Sequence, residues 1–378
     1  MKVLMLGRIG LLSGGGGDLI QIENTAKELR KLGVTVDIKT TFDVDVSAYD
    51  IVHVFQLDWS ADNYFYSKMA KDNKKPLVLS PIHHNIDEVR KFDDTYAFDY
   101  RRISKIIFKD QFSRDVFKSF YRAIFDPSKL KPVLYSMFLG LRNMHITSLN
   151  SSDAVLVQTN AEASDLEKTY KVKLKKWKVV VNGVGEKFLE DKNYKNHFKF
   201  EDYIICVGRI EPRKNQLNII EAVAKFREEE NLDIRLVFIG KFNLLNHIEY
   251  TLRFKKALKK YDWITYISKV PYETMPDYYH FAKVGVSASW FETTGLTSLE
   301  ALFCGTNAVA SGERAKEYLG EYATYCVPDN IKSIKDALKA EYYSKRPVIS
   351  SKIRHEYTWE NAAKQTLEVY NELLGNKN

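Results

Sequence analysis

The chain has 378 residues, of which 45% are hydrophobic and 28% charged. This composition is ordinary for a globular protein, and the length favours two domains over one. No apolar run reaches the roughly 18 residues that span a bilayer. The first apolar run, Val3–Leu6, is too short for a signal peptide, so we expect a cytoplasmic protein.

The formal net charge of +8 favours an anionic partner: nucleic acid, an anionic membrane surface or a phosphate-bearing substrate. No RNA- or DNA-binding motif accompanies the charge, so we expect no nucleic-acid partner. The cysteines Cys206, Cys304 and Cys326 are far apart and show no CxxC or Cys/His spacing. They are therefore interpreted as buried thiols, without zinc or a disulfide framework.

Apolar runs alternate with helical patterns in the first half of the chain, which predicts an α/β doubly wound parallel sheet. Helices are predicted at Leu19–Leu32 and Ala161–Tyr170. The predicted strands are Lys2–Leu6, Val34–Ile38, Asp50–Phe55, Pro76–Ser80, Ala154–Gln158 and Lys178–Val181.

A glycine-rich turn, Gly14, Gly15, Gly16 and Gly17, follows the first strand. Glycine permits positive φ and close backbone approach, which suits contact with a phosphate or an acceptor. The turn lacks the GxGxxG spacing of a dinucleotide site, and it also fits a flexible loop without a ligand.

Residues 88–148 interrupt the strand rhythm and are rich in aromatic and basic side chains. Within residues 101–145, apolar side chains recur at helical spacing. One interpretation is an amphipathic element that binds an anionic membrane surface near a lipid-linked acceptor. The other is a helical insertion that packs on its own domain with a solvated basic face. The basic residues are Arg101, Arg102, Lys105, Lys109, Arg114, Lys118, Arg122, Lys129, Lys131 and Arg142.

Residues 187–200 are polar and poor in aliphatic side chains, which indicates a linker between domains. A second series of alternating strands and helices follows, with strands predicted at Tyr203–Gly208, Arg235–Gly240 and Val284–Ser287. Two Rossmann-like halves would leave a cleft where the carboxyl ends of the strands meet.

The most informative stretch runs from Phe291 to Thr306 and contains Glu292 and Glu300, separated by seven residues. A helix is predicted to begin near Gly295, which places Glu292 on the preceding loop and Glu300 within the helix. The backbone N–H groups of Gly295, Leu296 and Thr297 would then lie at a helix N-terminus, which can bind a diphosphate.

A second motif, Gly208–Gln216, comprises a strand end, a short loop and a helix with a basic start. Arg209 and Lys214 can converge on one anion, and such a pair can neutralise a leaving diphosphate without a metal ion.

Together the two motifs resemble the retaining family 4 of the glycosyltransferases, which has a Gly-Arg…Lys element and a Glu, seven residues, Glu element in this order. Weaker likenesses are found at Ile239–Lys241, Met275–Ala282, Val181–Val184 and Tyr357–Trp359. The resemblance implies a GT-B fold, in which two Rossmann-like domains have parallel sheets facing a central cleft.

In that arrangement, residues 1–186 form an acceptor-side domain with its insertion at about 88–148. Residues 187–358 form the nucleotide-sugar-binding domain, and residues 359–378 form a helix that returns to the first domain. The resemblance implies a retaining hexosyltransferase that acts on a glycan, glycolipid or lipid-linked acceptor in polysaccharide biosynthesis. A UDP-hexose donor is a guess from how often such enzymes use one. The nucleotide diphosphate sugar is a substrate, and we expect no cofactor and no metal.

The resemblance carries roles to single residues. Glu292 takes the position that faces the donor sugar, and Glu300 the one that binds ribose hydroxyls. Arg209 and Lys214 take the diphosphate positions. Either His83 or His84 takes the position of the family's histidine near the donor sugar, and we prefer His84. Donor contacts are also predicted at Thr294, Gly295, Leu296, Thr297 and Lys241.

The sequence departs from the family pattern at Thr293-Thr294, where the family usually has Phe-Gly, at Asn215, where it often has Gly, and at Ser268-Lys269. Two other functions keep the same fold: a nucleotide-sugar epimerase and a phosphorylase. No cofactor lysine for a phosphorylase can be placed. A third alternative is a non-catalytic nucleotide-sugar-binding subunit that partners a transferase.

Overall fold

The computed structural model describes residues 1–14, 16–125, 130–190, 193–243 and 247–375. The chain divides into two compact units. Unit 1 comprises Met1–Ile86, Ile107–Gly183 and the segment from Glu356 onward, and unit 2 comprises Asp87–Ile106 and Val184–His355.

Unit 1 contains a six-stranded parallel sheet in the order β2-β1-β3-β4-β5-β6. Because both faces of a parallel sheet are covered by helices, its central strands are mostly apolar; β3 and β4 are entirely buried. The strands are β1 (Lys2–Leu6), β2 (Thr35–Lys39), β3 (Ile51–Phe55), β4 (Leu77–Ser80), β5 (Ala154–Val157) and β6 (Trp177–Val179).

The helices that begin in the first half of the chain are α1 (Leu11–Gly14), α2 (Gly17–Lys31), α3 (Ser60–Asp72), α4 (Ile86–Thr95), α5 (Tyr100–Ile107), α6 (Gln111–Phe125), α7 (Leu130–Leu139), α8 (Leu141–Ser151) and α9 (Asn160–Tyr170). The glycine-rich turn therefore contains one short helical turn, α1, before α2 begins. Asn160 begins α9 because the Thr159 side chain accepts a hydrogen bond from the Glu162 backbone N–H and caps the helix.

The C-terminal helix α17 (Trp359–Leu373) belongs to unit 1. Trp359, Ala363 and Tyr370 are buried in the core that β1 and α2 share. The Tyr370 hydroxyl lies 2.6 Å from Nδ1 of the buried His53. A Cβ atom at Gly183 would lie 2.2 Å from the Trp359 backbone nitrogen, so this close approach requires glycine.

Unit 2 contains a second six-stranded parallel sheet in the order β12-β11-β10-β7-β8-β9. Its strands are β7 (Tyr203–Val207), β8 (Leu236–Ile239), β9 (Ile264–Ile267), β10 (Ala282–Val286), β11 (Asn307–Ser311) and β12 (Ala323–Cys326). The helices of its continuous part are α10 (Gln216–Glu230), α11 (Ile248–Lys260), α12 (Met275–His280), α13 (Leu296–Phe303), α14 (Glu313–Leu319), α15 (Ile331–Tyr343) and α16 (Ser351–Glu356).

Residues 87–106 lie in unit 2, although the sequence boundaries assign them to an insertion of the first domain. The reason is aromatic packing. The Phe92 ring lies 5.5 Å from Phe291, and the Tyr96 ring stacks on Trp290 at 5.2 Å. Phe98 packs on Tyr250 at 5.3 Å. We refer to residues 87–106 as the aromatic brace.

The predicted fold class is confirmed: each unit is an α/β, Rossmann-like body built on a parallel sheet. The predicted helix start near Gly295 is also confirmed, since Gly295 is the N-cap residue of α13 and Glu300 lies within that helix.

Candidate functional site

The loops after β7 and β8 approach each other at backbone distance in unit 2. A Cβ atom at Gly240 would lie 1.9 Å from the Gly208 carbonyl oxygen. The Ile210 backbone N–H also donates to the Lys241 carbonyl at 2.9 Å. Any side chain at residue 240 would therefore displace the segment that carries Arg209.

Asn215 ends the turn that contains Lys214, and it has the left-handed backbone conformation, with φ 63°. Asparagine tolerates this conformation better than most residues. Its side-chain amide donates to the carbonyls of Ala288 at 2.9 Å and Pro328 at 2.8 Å. The family's glycine is thus replaced by a residue that keeps the turn and ties it to the loop after β10.

Glu292 lies in a partly buried cluster of charges. One of its oxygens accepts a hydrogen bond from the Lys214 ammonium, and the other lies 3.1 Å from Nη1 of Arg213. The same Arg213 guanidinium donates to Oε1 of Glu211 at 3.1 Å and 3.2 Å. Arg213 therefore bridges two carboxylates, and Lys214 is the second cation on Glu292.

The cluster keeps both carboxylates ionised. Burial on its own would raise the pKa of Glu292, but the Lys214 and Arg213 charges hold that pKa far below its usual range. Burial likewise opposes ionisation of Glu211, yet Arg213 and Arg209 lower its pKa to about 2. At neutral pH, Glu292 is an acceptor of hydrogen bonds and no proton donor.

Arg209 differs from the other two cations because 53% of its side chain is exposed. Its Nε lies 3.7 Å from Oε2 of Glu211, which orients the guanidinium without burying it. An exposed guanidinium beside a buried one presents hydrogen-bond donors to an incoming anion. The exposed Lys241, after β8, belongs to the same unit.

Glu300 lies in the second turn of α13 and is buried between two tyrosines. The Tyr272 hydroxyl donates to Oε1 at 2.9 Å, and the Tyr279 hydroxyl donates to Oε2 at 3.2 Å. Burial raises the pKa of Glu300 to about 7, although both hydrogen bonds act in the opposite direction. Thr294, Gly295, Leu296 and Thr297 form the loop and first turn before it, where helical N–H groups lack intrahelical partners.

The two histidines belong to unit 1, after β4. The His83 side chain is 1% exposed, whereas that of His84 is 23% exposed. Nδ1 of each ring donates to a different oxygen of Asp58, with 2.5 Å for His84. Only His84 offers ring surface to a ligand, which supports the preference for His84 among the two.

The glycine-rich turn also lies in unit 1. Gly14 ends α1, Gly16 precedes α2 with φ 139°, and Gly17 begins α2, while Gly15 lies outside the described residues. A Cβ atom at Gly16 would lie 2.4 Å from Oδ1 of Asp18. Asp18 accepts from Arg8 at 2.8 Å, so a basic residue accompanies this turn.

The basic residues of the segment 101–145 occupy both buried and exposed positions. Arg114 and Lys118 are buried, and Arg101 donates to the buried Asp93 at 2.6 Å. Arg102, which pairs with Glu249 at 2.9 Å, is exposed, as are Lys105 and Lys109. The side chains of Arg122, Lys129 and Lys131 lie outside the described residues. Exposed apolar side chains on α6 and α7 are Phe120, Ile124, Leu130, Leu134, Tyr135, Met137, Phe138 and Leu139.

Two sets of predicted site residues emerge. The structure brings Lys214 and Glu292 into contact, and Arg209, Lys241, Glu300 and the start of α13 belong to the same unit as that pair. The histidines and the glycine-rich turn belong to the other unit. In the described part of the chain, no three His, Cys, Asp or Glu side chains are grouped as a metal site.

Five residues of these clusters were not predicted. Arg213 and Glu211 stand inside the basic motif, and the alternation of charges there was the available signal. Asp58 follows β3 as His83 follows β4, and the ends of neighbouring parallel strands meet. Tyr272 and Tyr279 offered no signal, because their contact with Glu300 depends on tertiary packing.

Residues 187–354 match the family described as glycosyl transferases group 1. Among curated relatives, the O-antigen chain mannosyltransferase B of Escherichia coli is 26% identical over 47% of this chain and 47% of its own length. The N-acetylgalactosamine-N,N'-diacetylbacillosaminyl-diphospho-undecaprenol 4-alpha-N-acetylgalactosaminyltransferase of Campylobacter jejuni is 28% identical over 53% of this chain and 54% of its own. The chain thus spans about half the length of these relatives.

Among solved structures, sucrose-phosphate synthase of Thermosynechococcus elongatus aligns over 100% of both chains with a TM-score of 0.72 and 15% identity. This likeness shows the fold, which is the GT-B type. The family match and the curated relatives support a glycosyltransferase of group 1.

Proposed function

We propose that this protein is a retaining glycosyltransferase that moves a sugar from a nucleoside diphosphate donor to a glycan, glycolipid or lipid-linked acceptor. The observation that carries the proposal is the partly buried cluster in which Lys214 and Arg213 hold Glu292 ionised, with Arg209 exposed beside it. The names of the curated relatives, which act on an O-antigen chain and on a diphospho-undecaprenol-linked sugar, favour these acceptor classes and a role in surface polysaccharide synthesis.

In this proposal, Arg209 and Lys214 neutralise the leaving diphosphate, and the first N–H groups of α13 contribute further donors. The anionic Glu292 binds hydroxyls of the transferred sugar, and Glu300 binds the ribose. His84 contacts the transferred sugar. The acceptor attacks the face from which the diphosphate leaves, so the protein contributes orientation and charge stabilisation, without a covalent intermediate.

The test is a thermal-shift panel of UDP-, GDP-, ADP- and dTDP-sugars, with UDP-hexose as the favoured donor. One donor should raise the melting temperature of the wild type by several degrees, because a ligand that binds the native state stabilises it. Arg209→Ala should abolish that shift. Arg235→Ala, an exposed arginine that pairs with Asp233, is the matched control and should leave the shift unchanged.

Turnover then separates the enzyme from a non-catalytic binding subunit. Glu292→Gln should lower turnover by orders of magnitude while the donor still raises the melting temperature. A wild-type protein that binds a donor but transfers nothing to any acceptor would support the binding subunit. A donor sugar that changes configuration without transfer would support the epimerase.

We propose that the reaction requires no metal ion, because Arg209 and Lys214 supply the positive charge that a divalent cation would otherwise provide. Transfer measured after dialysis against EDTA should equal transfer with added Mg²⁺ or Mn²⁺. Complete loss of transfer after chelation, with recovery on metal addition, would contradict this part of the proposal.

We further propose peripheral association with an anionic membrane surface through the exposed apolar face of α6 and α7. The Phe138 side chain is 87% exposed there, and residues 107–142 contain seven basic and three acidic side chains. An apolar face within a basic segment suits binding at a lipid interface. No described helix has the length and apolar character needed to cross a bilayer.

Vesicle flotation tests this association. The wild type should float with vesicles that contain anionic lipid, and Phe138→Asp should remain in the soluble fraction. Val348→Asp is the matched control, because Val348 is 89% exposed outside this face. Equal flotation of all three proteins would contradict the assignment of the α6–α7 face.

A further inference from the structure

Asp58 holds two consecutive histidines with one carboxylate. Its Oδ1 accepts a hydrogen bond from Nδ1 of His83, and its Oδ2 accepts from Nδ1 of His84 at 2.5 Å. Oδ2 also accepts from the His84 backbone N–H at 3.3 Å. These bonds, together with both imidazoles, hold the pKa of Asp58 far below its usual range although burial opposes this.

The fold places Asp58 there by extending the pairing of two strands. β3 and β4 are parallel neighbours in which Phe55 pairs with Ser80. Beyond their ends, the Gln56 N–H donates to Ser80 at 2.8 Å and the Leu57 N–H donates to Pro81 at 2.7 Å. The two loops therefore leave the sheet together, which sets Asp58 opposite the histidines.

Both loops contain a strained residue. Gln56 has φ 66° and Ile82 has φ 43°, and positive φ in a β-branched residue such as isoleucine is rare. Such conformations persist where the surroundings fix them, often at functional sites. Ile82 directly precedes His83, so the strain is located where the chain turns the imidazoles toward Asp58.

The opposite side of His83 is also fixed. The Tyr170 hydroxyl lies 3.3 Å from Nε2 of His83, and the His83 backbone N–H donates to Oε1 of Glu162 at 2.8 Å. The other Glu162 oxygen accepts from the Gln158 backbone N–H at 2.7 Å. His83 is thus a buried part of the support, and His84 is the ring that this support presents.

We propose that Asp58 is a positioning residue that acts through His84, by fixing the His84 ring in the Nδ1–H tautomer with Nε2 directed at the transferred sugar. That Nε2 is directed at the transferred sugar rests on the proposed function. That Asp58 fixes the tautomer of His84 concerns the ring alone and can be tested without measuring activity.

The chemical reason is that a carboxylate accepts two N–H bonds, whereas a carboxamide accepts on one side and donates on the other. In Asp58→Asn, the amide NH₂ would face an Nδ1–H group unless one imidazole changed its tautomer. The Tyr170 hydroxyl, 3.3 Å from Nε2 of His83, can donate to that nitrogen and so favours the Nδ1–H form of His83. The His84 backbone N–H bond to Oδ2, which would favour keeping an oxygen on the His84 side, is long at 3.3 Å. We therefore expect the change of tautomer at His84.

The first experiment is ¹⁵N NMR of the histidine ring nitrogens. The chain has eight histidines, and His84→Gln identifies the His84 signals by their loss. In the wild type, Nδ1 of His84 should carry the proton. In Asp58→Asn, the population should shift to Nε2–H. An unchanged tautomer in Asp58→Asn would overturn the proposal.

The second experiment is a kinetic double-mutant cycle. Asp58→Asn should lower kcat about 100-fold or more, the size expected when a positioned histidine is lost from a reaction, with the donor KM unchanged. In the His84→Gln background, the same substitution should have no further effect, because residues that act as one unit are not additive. Independent, multiplicative losses would contradict action through His84.

The matched control is Asp277→Asn. Asp277 lies 3.1 Å from Nε2 of His197, an aspartate–histidine pair in unit 2 outside the proposed site, so its loss should leave kcat unchanged. The two proposals can fail separately. A wild type without transfer on any donor contradicts the proposed function, while the NMR result still decides whether Asp58 fixes the tautomer of His84.

Discussion

The partly buried Glu292 and the buried Glu300 lie on either side of the start of α13, and their surroundings shift the pKa values of their carboxyl groups in opposite directions. Glu292 contacts two cations, which lower the pKa of its carboxyl group. Glu300 contacts two neutral tyrosines, and burial raises its pKa to about 7. Near neutral pH the first is therefore a fixed anion, and the second exchanges a proton.

The raised pKa of Glu300 predicts a pH-dependent stability. Between its unfolded pKa near 4.5 and its folded pKa near 7, the folded protein binds the proton and the unfolded chain does not. The stabilisation that proton binding by Glu300 gives the folded protein is therefore complete below the unfolded pKa. It is lost as pH rises through 7, and its upper limit is about 3 kcal/mol. Glu300→Gln, which is neutral at every pH, should unfold at a higher denaturant concentration than wild type at pH 8, and this advantage should shrink at pH 5.

Glu292→Gln provides the opposite control. The pKa of Glu292 is lowered in the folded protein. Ionised Glu292 therefore stabilises the wild type at pH values above its unfolded pKa, and this stabilisation is lost only as pH falls through the folded pKa. Glu292→Gln should therefore be less stable than wild type at both pH 5 and pH 8. Equal stability of Glu300→Gln and wild type at both pH values would show that Glu300 is not a buried, titrating group.

Arg213 is the residue whose geometry lysine cannot reproduce. Its planar guanidinium bridges Glu211 and Glu292, and a lysine at this position would reach one carboxylate only. We expect Arg213→Lys to lower the free energy of unfolding by about 2 kcal/mol, because one carboxylate loses one of its two cations and a charge-assisted hydrogen bond. Urea denaturation measures this change. Arg235→Lys, at an exposed pair, should leave stability within about 0.5 kcal/mol of wild type.

The sequence predicted the element that carries Glu300 because local signals agree there. Gly295 and the threonines before it disfavour a helix interior, and Leu296–Phe303 is a strong helix former. The strands β9, β11 and β12 were not predicted. They read Ile-Thr-Tyr-Ile, Asn-Ala-Val-Ala-Ser and Ala-Thr-Tyr-Cys, and such short runs with alanine or polar residues carry little β signal.

Residues 101–145 show what a helical pattern cannot predict. Arg101 binds the buried Asp93, which lies on a different helix, and Arg114 donates to the Phe108 carbonyl. Such partners are fixed by tertiary packing, so the sequence alone did not show which basic side chains are directed into the protein and which, like Lys105 and Lys109, are exposed.

The aromatic brace supports the loop that carries Glu292, and Phe92 is its centre. The Phe92 ring contacts Trp290 and Phe291, and Phe291 in turn lies 5.5 Å from the Arg213 guanidinium. Phe92→Ala should lower the free energy of unfolding by about 3–5 kcal/mol, as for other buried phenylalanines. Phe138→Ala, the same substitution at an exposed site of α7, should change it by less than about 0.5 kcal/mol. Similar urea midpoints for the two variants would show that Phe92 does not support this loop.

At the scale of the whole molecule, the composition and the strand rhythm were enough to predict two Rossmann-like bodies. They were not enough to assign every segment to its body. Residues 87–106 follow the first-domain strand β4 in the chain, but the ring contacts of Phe92, Tyr96 and Phe98 and the Arg102–Glu249 ion pair connect them to unit 2. The order of the chain predicts which unit contains a strand that pairs in a sheet. It does not predict this for a segment that is held by side-chain contacts.

This assignment means that unit 2 is not one contiguous segment of the chain. A chimera designed to exchange donor specificity therefore cannot be made with a single junction at the linker of residues 187–200. A graft of residues 184–355 alone would leave the aromatic brace behind in the parent chain and expose Trp290 and Phe291 to water. We expect such a graft to bind a hydrophobic dye, and a graft that also carries residues 87–106 to fold without it. Equal dye binding by the two grafts would contradict this. Recombination that transfers the intact unit 2 between relatives would accordingly have to exchange two segments, residues 87–106 and residues 184–355.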